Sequence, residues 1–136
     1  MLHFLIADDH FVMRQAIIQI VRDDWPDAFC AEAANGLELI AKATDAPWDI
    51  IISDISMPSL SGIEALGVLK KTIPHIPVLI TSIHGENSYA LKAIRSGAAG
   101  FIPKTLIQVE LVKAVLTVLS GKKYLTHDQA IQLGSL

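Results

Sequence analysis

Two kinds of hydrophobic pattern alternate along the chain. Short, continuous apolar runs predict β-strands at residues 2–7, 29–33, 49–53, 78–81 and 99–102. Between them, apolar residues spaced three and four apart predict helices at residues 10–21, 37–43, 63–71, 86–96 and 106–119. Strand and helix therefore follow one another five times.

This alternation predicts the fold class. Strands that alternate with helices of this length form a parallel sheet with helices on both faces. Strands that are apolar throughout, rather than at every second residue, are typical of parallel strands covered on both sides. We expect an α/β protein with a flavodoxin-like (βα)5 doubly wound sheet, in the strand order 2-1-3-4-5.

The pattern weakens after Gly121, which divides the chain into residues 1–121, expected to form the main domain, and a tail at residues 122–136. Thr126 is followed three residues later by Gln129, the spacing of a capping box. A short tail helix and a frayed terminus remain equally open.

Composition and charge limit the classes of function that this chain can have. The 136 residues are 51% hydrophobic and 18% charged, which indicates one well-packed domain. A net charge of −3 argues against a nucleic-acid-binding surface on this chain. The two short lysine pairs, at residues 70–71 and 122–123, indicate only solvated surface.

Sequence features that bear on location point to the cytoplasm. Cys30 is the only cysteine, so no disulfide can form within the chain, as is usual in a reducing compartment. The N-terminus lacks the pattern of a signal peptide. No apolar run approaches the ~18 residues of a transmembrane helix, and we expect no membrane contact.

Three carboxylates follow predicted strands. Asp8 and Asp9 come after the first strand, and Asp54 comes after the third. Strands one and three are neighbours in the expected order, so these acids meet at the carboxyl edge of the sheet. Like charges this close need a cation, and Mg²⁺ prefers carboxylate and phosphate oxygens.

Two further groups reach the same edge. Ser82 follows the fourth strand and Lys104 follows the fifth. A carboxylate nucleophile, a cation, a hydroxyl and an ammonium together suit formation of an aspartyl phosphate at Asp54. Taken singly, each has a simpler interpretation: Asp8 and Asp9 as helix caps, Asp54 as a turn residue, Lys104 as a solvated charge.

These residues also carry a family resemblance. The motifs that carry it are Asp8-Asp9, Asp54 followed by Met57-Pro58 and Gly62, Ser82, Gly97-Ala98-Ala99-Gly100-Phe101, and Lys104. Over residues 2–120 the chain resembles the receiver domains of bacterial two-component response regulators. Short segments such as Ser82-Ile83-His84 and Gly121-Lys122-Lys123-Tyr124-Leu125 resemble the NarL/FixJ subgroup. Members of that subgroup join a receiver to a LuxR-type helix-turn-helix domain.

The resemblance implies roles for particular residues. Asp54 would be the phosphoacceptor for a sensor histidine kinase. Mg²⁺ would be bound by Asp8, Asp9, Asp54 and the backbone carbonyl of Ser56. The other implied roles are contact with the phosphoryl group for Ser82 and Lys104, and an aromatic switch that turns inward on phosphorylation for Phe101. Separately from the resemblance, His84 is a candidate for tuning hydrolysis because it lies two residues after Ser82.

It also implies an output. The domain would be a signalling switch that promotes its own phosphorylation and dephosphorylation, rather than an enzyme acting on other substrates. Phosphorylation would favour a homodimer, and DNA would be bound only by a C-terminal domain outside this chain; a stand-alone receiver is the alternative. Thr105 stands where many members carry Pro, which leaves open whether the Lys104–Thr105 peptide bond is cis or trans.

Three other functions remain to be weighed. A flavin-binding electron carrier on this fold needs a Ser/Thr/Gly-rich phosphate loop after the first strand, where this chain has Asp8-Asp9. A phosphatase of the haloacid-dehalogenase type needs Asp-x-Asp there instead of Asp-Asp. A degenerate receiver that acts only by protein interaction is disfavoured because every expected site residue is present.

Overall fold

The computed structural model describes residues 1–83 and 87–134, which contain a five-stranded parallel sheet. The strand order is β2-β1-β3-β4-β5, and every neighbouring pair is parallel. The strands are β1 His3–Ala7, β2 Phe29–Ala33, β3 Ile50–Asp54, β4 Val78–Ser82 and β5 Gly100–Pro103. The predicted fold class and strand order are therefore confirmed.

Helices cover both faces of this sheet. They are α1 Phe11–Asp24, α2 Gly36–Ala43, α3 Gly62–Thr72, α4 Asn87–Arg95, α5 Ile107–Leu119 and α6 His127–Gln132. Successive residues of a strand point to opposite faces, so Phe4 and Ile6 pack with α1 and α5, while Leu5 and Ala7 pack with α2, α3 and α4. The central strands are buried on both sides, which is why they read as continuous apolar runs.

Small shifts from the predicted boundaries matter at the carboxyl edge. Strand β3 runs one residue further than the predicted 49–53, so Asp54 is its last residue rather than the first residue of the loop. Lys104 opens a 3₁₀ turn, Lys104–Leu106, that was predicted in part as helix. Glu86, the predicted first residue of the fourth helix, lies outside the described residues.

Of the two interpretations of the tail, a short helix and a frayed terminus, the helix is confirmed. Helix α6 begins with a complete capping box between Thr126 and Gln129. The segment before it lies beside β5, where the backbone N–H of Tyr124 donates to the Ala99 carbonyl at 2.7 Å. Leu125 and Leu133 pack against the core on the α4 face. Among residues 1–83 and 87–134, no helix is long and apolar enough to cross a membrane.

Candidate phosphoacceptor site

The predicted site residues come from strand ends that lie side by side. Asp54 is paired with Thr81 across β3 and β4, and Ser82 is paired with Pro103 across β4 and β5. Lys104 follows Pro103 directly. Because β1 lies on the other side of β3, the loop after β1 brings Asp8 to the same place. The sheet order alone therefore assembles groups that lie far apart in sequence.

Lys104 joins two of the carboxylates. Its Nζ atom lies 2.8 Å from Asp8 Oδ2 and donates a hydrogen bond to Asp54 Oδ2 at 3.1 Å. The Lys104 and Asp54 side chains are each 6% exposed, and the Asp8 side chain is fully buried. The ammonium is thus the counter-ion of a buried acidic pair, and not a solvated charge.

The acids form a group that can hold a cation. Ligand atoms of Asp8, Asp9, His10 and Asp54 all lie within 4.8 Å of one another. Asp8 Oδ2 is buried and, among the described residues, accepts no well-aligned hydrogen bond, although the Lys104 ammonium lies 2.8 Å away. Carboxylate oxygens with one poorly satisfied buried atom fit a hard divalent cation such as Mg²⁺ or Ca²⁺.

Burial and charge act in opposite directions on the ionisation of the site. Burial raises the pKa of Asp54 above its ordinary range, and the Asp8 charge adds to this, although Lys104 and the Ser56 N–H favour the ionised form. Burial by itself would lower the pKa of Lys104, but the hydrogen bonds and charges of Asp8 and Asp54 outweigh it, and the net shift is upward. Lys104 is therefore firmly cationic, while the charge of Asp54 is only partly compensated.

Similarity to known proteins identifies the family of this chain. The sequence model of the response regulator receiver domain matches residues 4–116. The chain belongs to the response regulator receiver domain family. This membership decides against the flavin carrier and the phosphatase as alternatives.

Relatives of this receiver include transcriptional regulators. It is 29% identical over 133 residues to the response regulator UvrY of Escherichia coli, covering 98% of this chain and 61% of UvrY. It is 35% identical to the transcriptional regulatory protein UhpA of Escherichia coli, covering 99% of this chain and 67% of UhpA. The chain therefore spans about three fifths to two thirds of these relatives.

A solved structure shares the whole fold. The two-component response regulator of the LuxR family from Aurantimonas sp. SI85-9A1 superposes with a TM-score of 0.86 at 27% identity, covering 98% of this receiver and 95% of that chain. The similarity includes the region of helix α6, because so much of both chains is covered.

Two residues beside the loop after β1 contact it but were not assigned to the site from the sequence: His10 at the end of the loop and Arg14 in α1. The His10 N–H donates to Asp8 Oδ1 at 2.8 Å, and His10 Nδ1 lies 3.2 Å from carboxylate oxygens of both Asp8 and Asp9. Arg14 donates from Nη1 to the Asp8 carbonyl at 2.6 Å and from Nε to Glu32 at 2.9 Å. One available signal was that Arg14 lies one helical turn after the loop.

These contacts also test the simpler interpretation of Asp8 and Asp9 as helix caps. The N-cap of α1 is His10, whose side chain makes no capping hydrogen bond, and no acid lies in the first turn of the helix. The capping interpretation is wrong for this receiver. Asp8 and Asp9 instead lie in one acidic group with Asp54, and Arg14 and His10 contact the loop that carries them.

The loop after β3 holds Asp54 by its backbone. The Ser56 N–H lies 3.3 Å from Asp54 Oδ1, and the Gly62 N–H donates to the Ile55 carbonyl at 2.8 Å. Gly62 is required here, since a Cβ atom at this position would lie 2.1 Å from the Asp54 carbonyl oxygen. A complete capping box between Ser61 and Glu64 starts α3 directly afterwards.

The remaining predicted residues surround this centre. Ser82 is fully buried at the end of β4. Phe101 is 4% exposed and packs in the same cluster as Ala93 and Ile94 of α4. In this conformation the Phe101 ring is already in the inward position that the sequence-based expectation assigns to the phosphorylated state. No described peptide bond is cis, so the Lys104–Thr105 bond is trans. His84 lies outside the described residues.

Proposed function

We propose that this receiver takes a phosphoryl group from a sensor histidine kinase onto Asp54 and acts as a phosphorylation switch. The observation that carries the proposal is the arrangement around Asp54. A strand-terminal carboxylate with a raised pKa is held 3.1 Å from the Lys104 ammonium, inside a group of three acids.

In the proposed step, one Asp54 oxygen attacks the phosphorus atom of the donor. A bond forms between that oxygen and phosphorus, the bond from phosphorus to the kinase histidine nitrogen breaks, and the nitrogen keeps the electron pair. Because the Ser56 N–H and the loop ended by Gly62 position Asp54, its carboxylate is oriented before the donor arrives.

Asp8, Asp9, Asp54 and the Ser56 carbonyl are proposed to hold Mg²⁺, and Asp54 at the same time to accept phosphoryl. Mg²⁺ would supply charge neutralisation for the acids and the phosphoryl oxygens. The donor set supports this, since oxygen ligands suit a hard cation and Asp8 Oδ2 is buried without a well-aligned hydrogen bond.

Lys104 and Ser82 are proposed to bind the phosphoryl oxygens. Lys104 is cationic and already lies between Asp8 and Asp54, so it needs only a short movement to reach an oxygen bonded to Asp54. Ser82 is on the adjoining strand end, and its hydroxyl is a suitable donor to a second oxygen. The same groups would assist later hydrolysis, so that the receiver promotes both its own phosphorylation and its own dephosphorylation.

The proposed readout is a change at α4 and β5. Movement of Ser82 toward the new charge alters the end of β4, and Phe101 on β5 packs against α4. Since the ring is already buried, we propose that the switch acts by repacking α4 around Phe101 and not by inward rotation of the ring. A homodimer formed through this surface would be the expected product.

The wider role is proposed from the relatives. We propose that residues 1–121 form the receiver and that residues 122–136 are a tail or the start of a linker. The protein would act in the cytoplasm and control transcription, as the name of UhpA suggests. It would do so through a DNA-binding domain outside this chain, of the LuxR type, the family named for the Aurantimonas regulator. The alternative, a receiver that signals only by protein contact, makes the same prediction for Asp54.

Incubation with Mg²⁺ and acetyl phosphate, followed by intact-mass measurement, tests the proposal. We expect the mass of one phosphoryl group on the wild type and none on Asp54→Asn, with Asp27→Asn as a matched control on an exposed acid. Labelling that persists in Asp54→Asn would refute the assignment of Asp54.

A histidine kinase transfer assay extends the same test. If acetyl phosphate fails to label the wild type but kinase phosphohistidine succeeds, the receiver is closed to small donors and the proposal stands. Failure of both donors, with Mg²⁺ binding demonstrated by the rise in melting temperature, would contradict the phosphorylation switch and favour an interaction module.

A further inference from the structure

Three of the four lysines that the sequence assigns to solvated surface meet at one cleft. Lys70, at the end of α3, and Lys122 and Lys123, after α5, line a cavity of about 240 Å³ together with His75. Pro77 and Ala99, which precede β4 and β5, also line it. The cleft therefore lies at the amino edge of the sheet, at the opposite end of the strands from Asp54.

The charges in this cleft are not compensated. No Asp or Glu lines it, and within residues 1–83 and 87–134 none of the three lysines lies within ion-pair distance of a carboxylate. Lys70 Nζ donates to the Ile76 carbonyl at 3.1 Å. Burial, and then the charge of Lys123, lower the pKa of Lys70. Like charges are thus brought together on a chain whose net charge is −3.

Backbone geometry keeps Lys70 in this position. Gly97 has φ +109°, and a Cβ atom there would lie 2.7 Å from Lys70 Cγ. The glycine leaves room for the lysine side chain to lie across the end of the α4–β5 connection. Lys70 is therefore held along the wall of the cleft and does not extend freely into solvent.

Helix dipoles explain part of this arrangement but not all of it. Cations are favoured near the carboxyl end of a helix, and both α3 and α5 end at this cleft. That attraction acts on each helix end separately. It does not account for lysines from two helices sharing one cavity without an acid between them, an arrangement that an anion would relieve.

We propose that this cleft binds a small dianion of the phosphate class. A cavity of about 240 Å³ is smaller than the roughly 300–1,000 Å³ of pockets for drug-sized ligands, so its occupant is a single phosphate-like group or a short phosphate chain. The ammonium groups of Lys70, Lys122 and Lys123, which line the cleft, are suitable donors to such oxygens. The proposal is independent of chemistry at Asp54.

Titration of the ¹⁵N-labelled protein with inorganic phosphate, at constant ionic strength and without divalent cations, tests this directly. We expect amide shifts at Gly97, Ala99 and Gly121 that saturate, and none around Asp54, where the acids repel phosphate. Lys123→Gln should weaken binding roughly three- to tenfold, as for loss of one partly exposed charge-assisted contact. Lys71→Gln, an exposed neighbour outside the cleft, is the matched control.

Three results would overturn the proposal. The first is the absence of saturable shifts at the cleft. The second is equal weakening by Lys71→Gln and Lys123→Gln, which would indicate a general charge effect. The third is a short DNA duplex that competes for the same amides at lower concentration than phosphate or pyrophosphate, which would make the cleft part of a nucleic-acid surface instead of a small-anion site.

Discussion

Replacement of Lys104 by Met gives the sharpest test of the electrostatics at the Asp54 site. Met keeps much of the length and volume of the side chain but removes the ammonium, which lies 2.8 Å from Asp8 Oδ2 and 3.1 Å from Asp54 Oδ2. Both carboxylates then remain in a buried place without their cation. We expect a large loss of stability when no divalent ion is present.

The magnitude follows from the burial of the groups. Removing one partner of a buried ion pair costs roughly 3–5 kcal/mol. The desolvation penalty of Lys104 itself disappears with the substitution, so we take the lower end, about 3 kcal/mol in the free energy of unfolding. For a domain of this size that is a fall of about 10 °C in the melting temperature.

The loss should depend on pH in a defined direction. The pKa of Asp54 is already raised, and removing the ammonium raises it further. A raised carboxyl pKa means that the folded state binds a proton more tightly than the unfolded state does, so this contribution stabilises at low pH. It is lost as pH rises from the ordinary carboxyl pKa through the raised one. The difference between wild type and Lys104→Met should therefore shrink as pH falls.

Chemical denaturation in EDTA, at neutral and at acidic pH, measures this. Lys113→Met, which removes an exposed charge from α5, is the control and should change stability by less than about 0.5 kcal/mol. Adding Mg²⁺ at neutral pH should restore part of the stability of Lys104→Met, because bound cation replaces the missing charge. A loss that is the same at both pH values and unaffected by Mg²⁺ would mean that Lys104 acts by packing, and the electrostatic reasoning would be refuted.

Three further predictions concern the same site and its surroundings. Asp54→Asn should raise the melting temperature at neutral pH in EDTA, because burial disfavours the charged form, and should reduce the gain on adding Mg²⁺; a lower melting temperature in EDTA would contradict this. Gly62→Ala should cost about 2 kcal/mol or more on denaturation through the clash with the Asp54 carbonyl, whereas Gly67→Ala, with open space at its Cβ, should gain roughly 0.5–1 kcal/mol. Tyr124→Phe removes the hydrogen bond from the Tyr124 hydroxyl to Glu110 and should cost about 1 kcal/mol in the free energy of unfolding. Burial, and then the bond to Glu110, raise the pKa of Tyr124 in the wild type. One phenol should therefore ionise late in an absorbance titration, and Tyr124→Phe should abolish this step.

The sheet and the main site residues were predictable because their causes are local. Apolar runs define the strands, and a parallel sheet brings strand ends to one edge whatever the helices between them contain. Asp8, Asp54, Ser82 and Lys104 could therefore be grouped from their positions alone. The one-residue extension of β3 changed the surroundings of Asp54 without moving it away from this edge.

Other features depend on side-chain packing, which strand order does not determine. Arg14 is one polar residue of an amphipathic helix until the fold places it beside the Asp8 carbonyl. The burial of Phe101 depends on how closely α4 approaches β5. A sequence pattern can identify the aromatic residue, but the rotamer is decided by the volume available beneath the helix.

The lysine cleft shows how the fold separates charge. In a parallel sheet with crossover helices, each helix runs opposite to the strands, so helix N-termini gather at the carboxyl edge and helix C-termini at the amino edge. Helix dipoles then favour anions, including a phosphoryl group on Asp54, at the first edge and cations at the second. Lys70 and Lys123, on two different helix ends, follow this rule. Sequence reading assigns each pair to its own helix end; the cleft exists only because α3 and α5 end beside β4 and β5, and therefore a shared anion site could be recognised only in the folded protein.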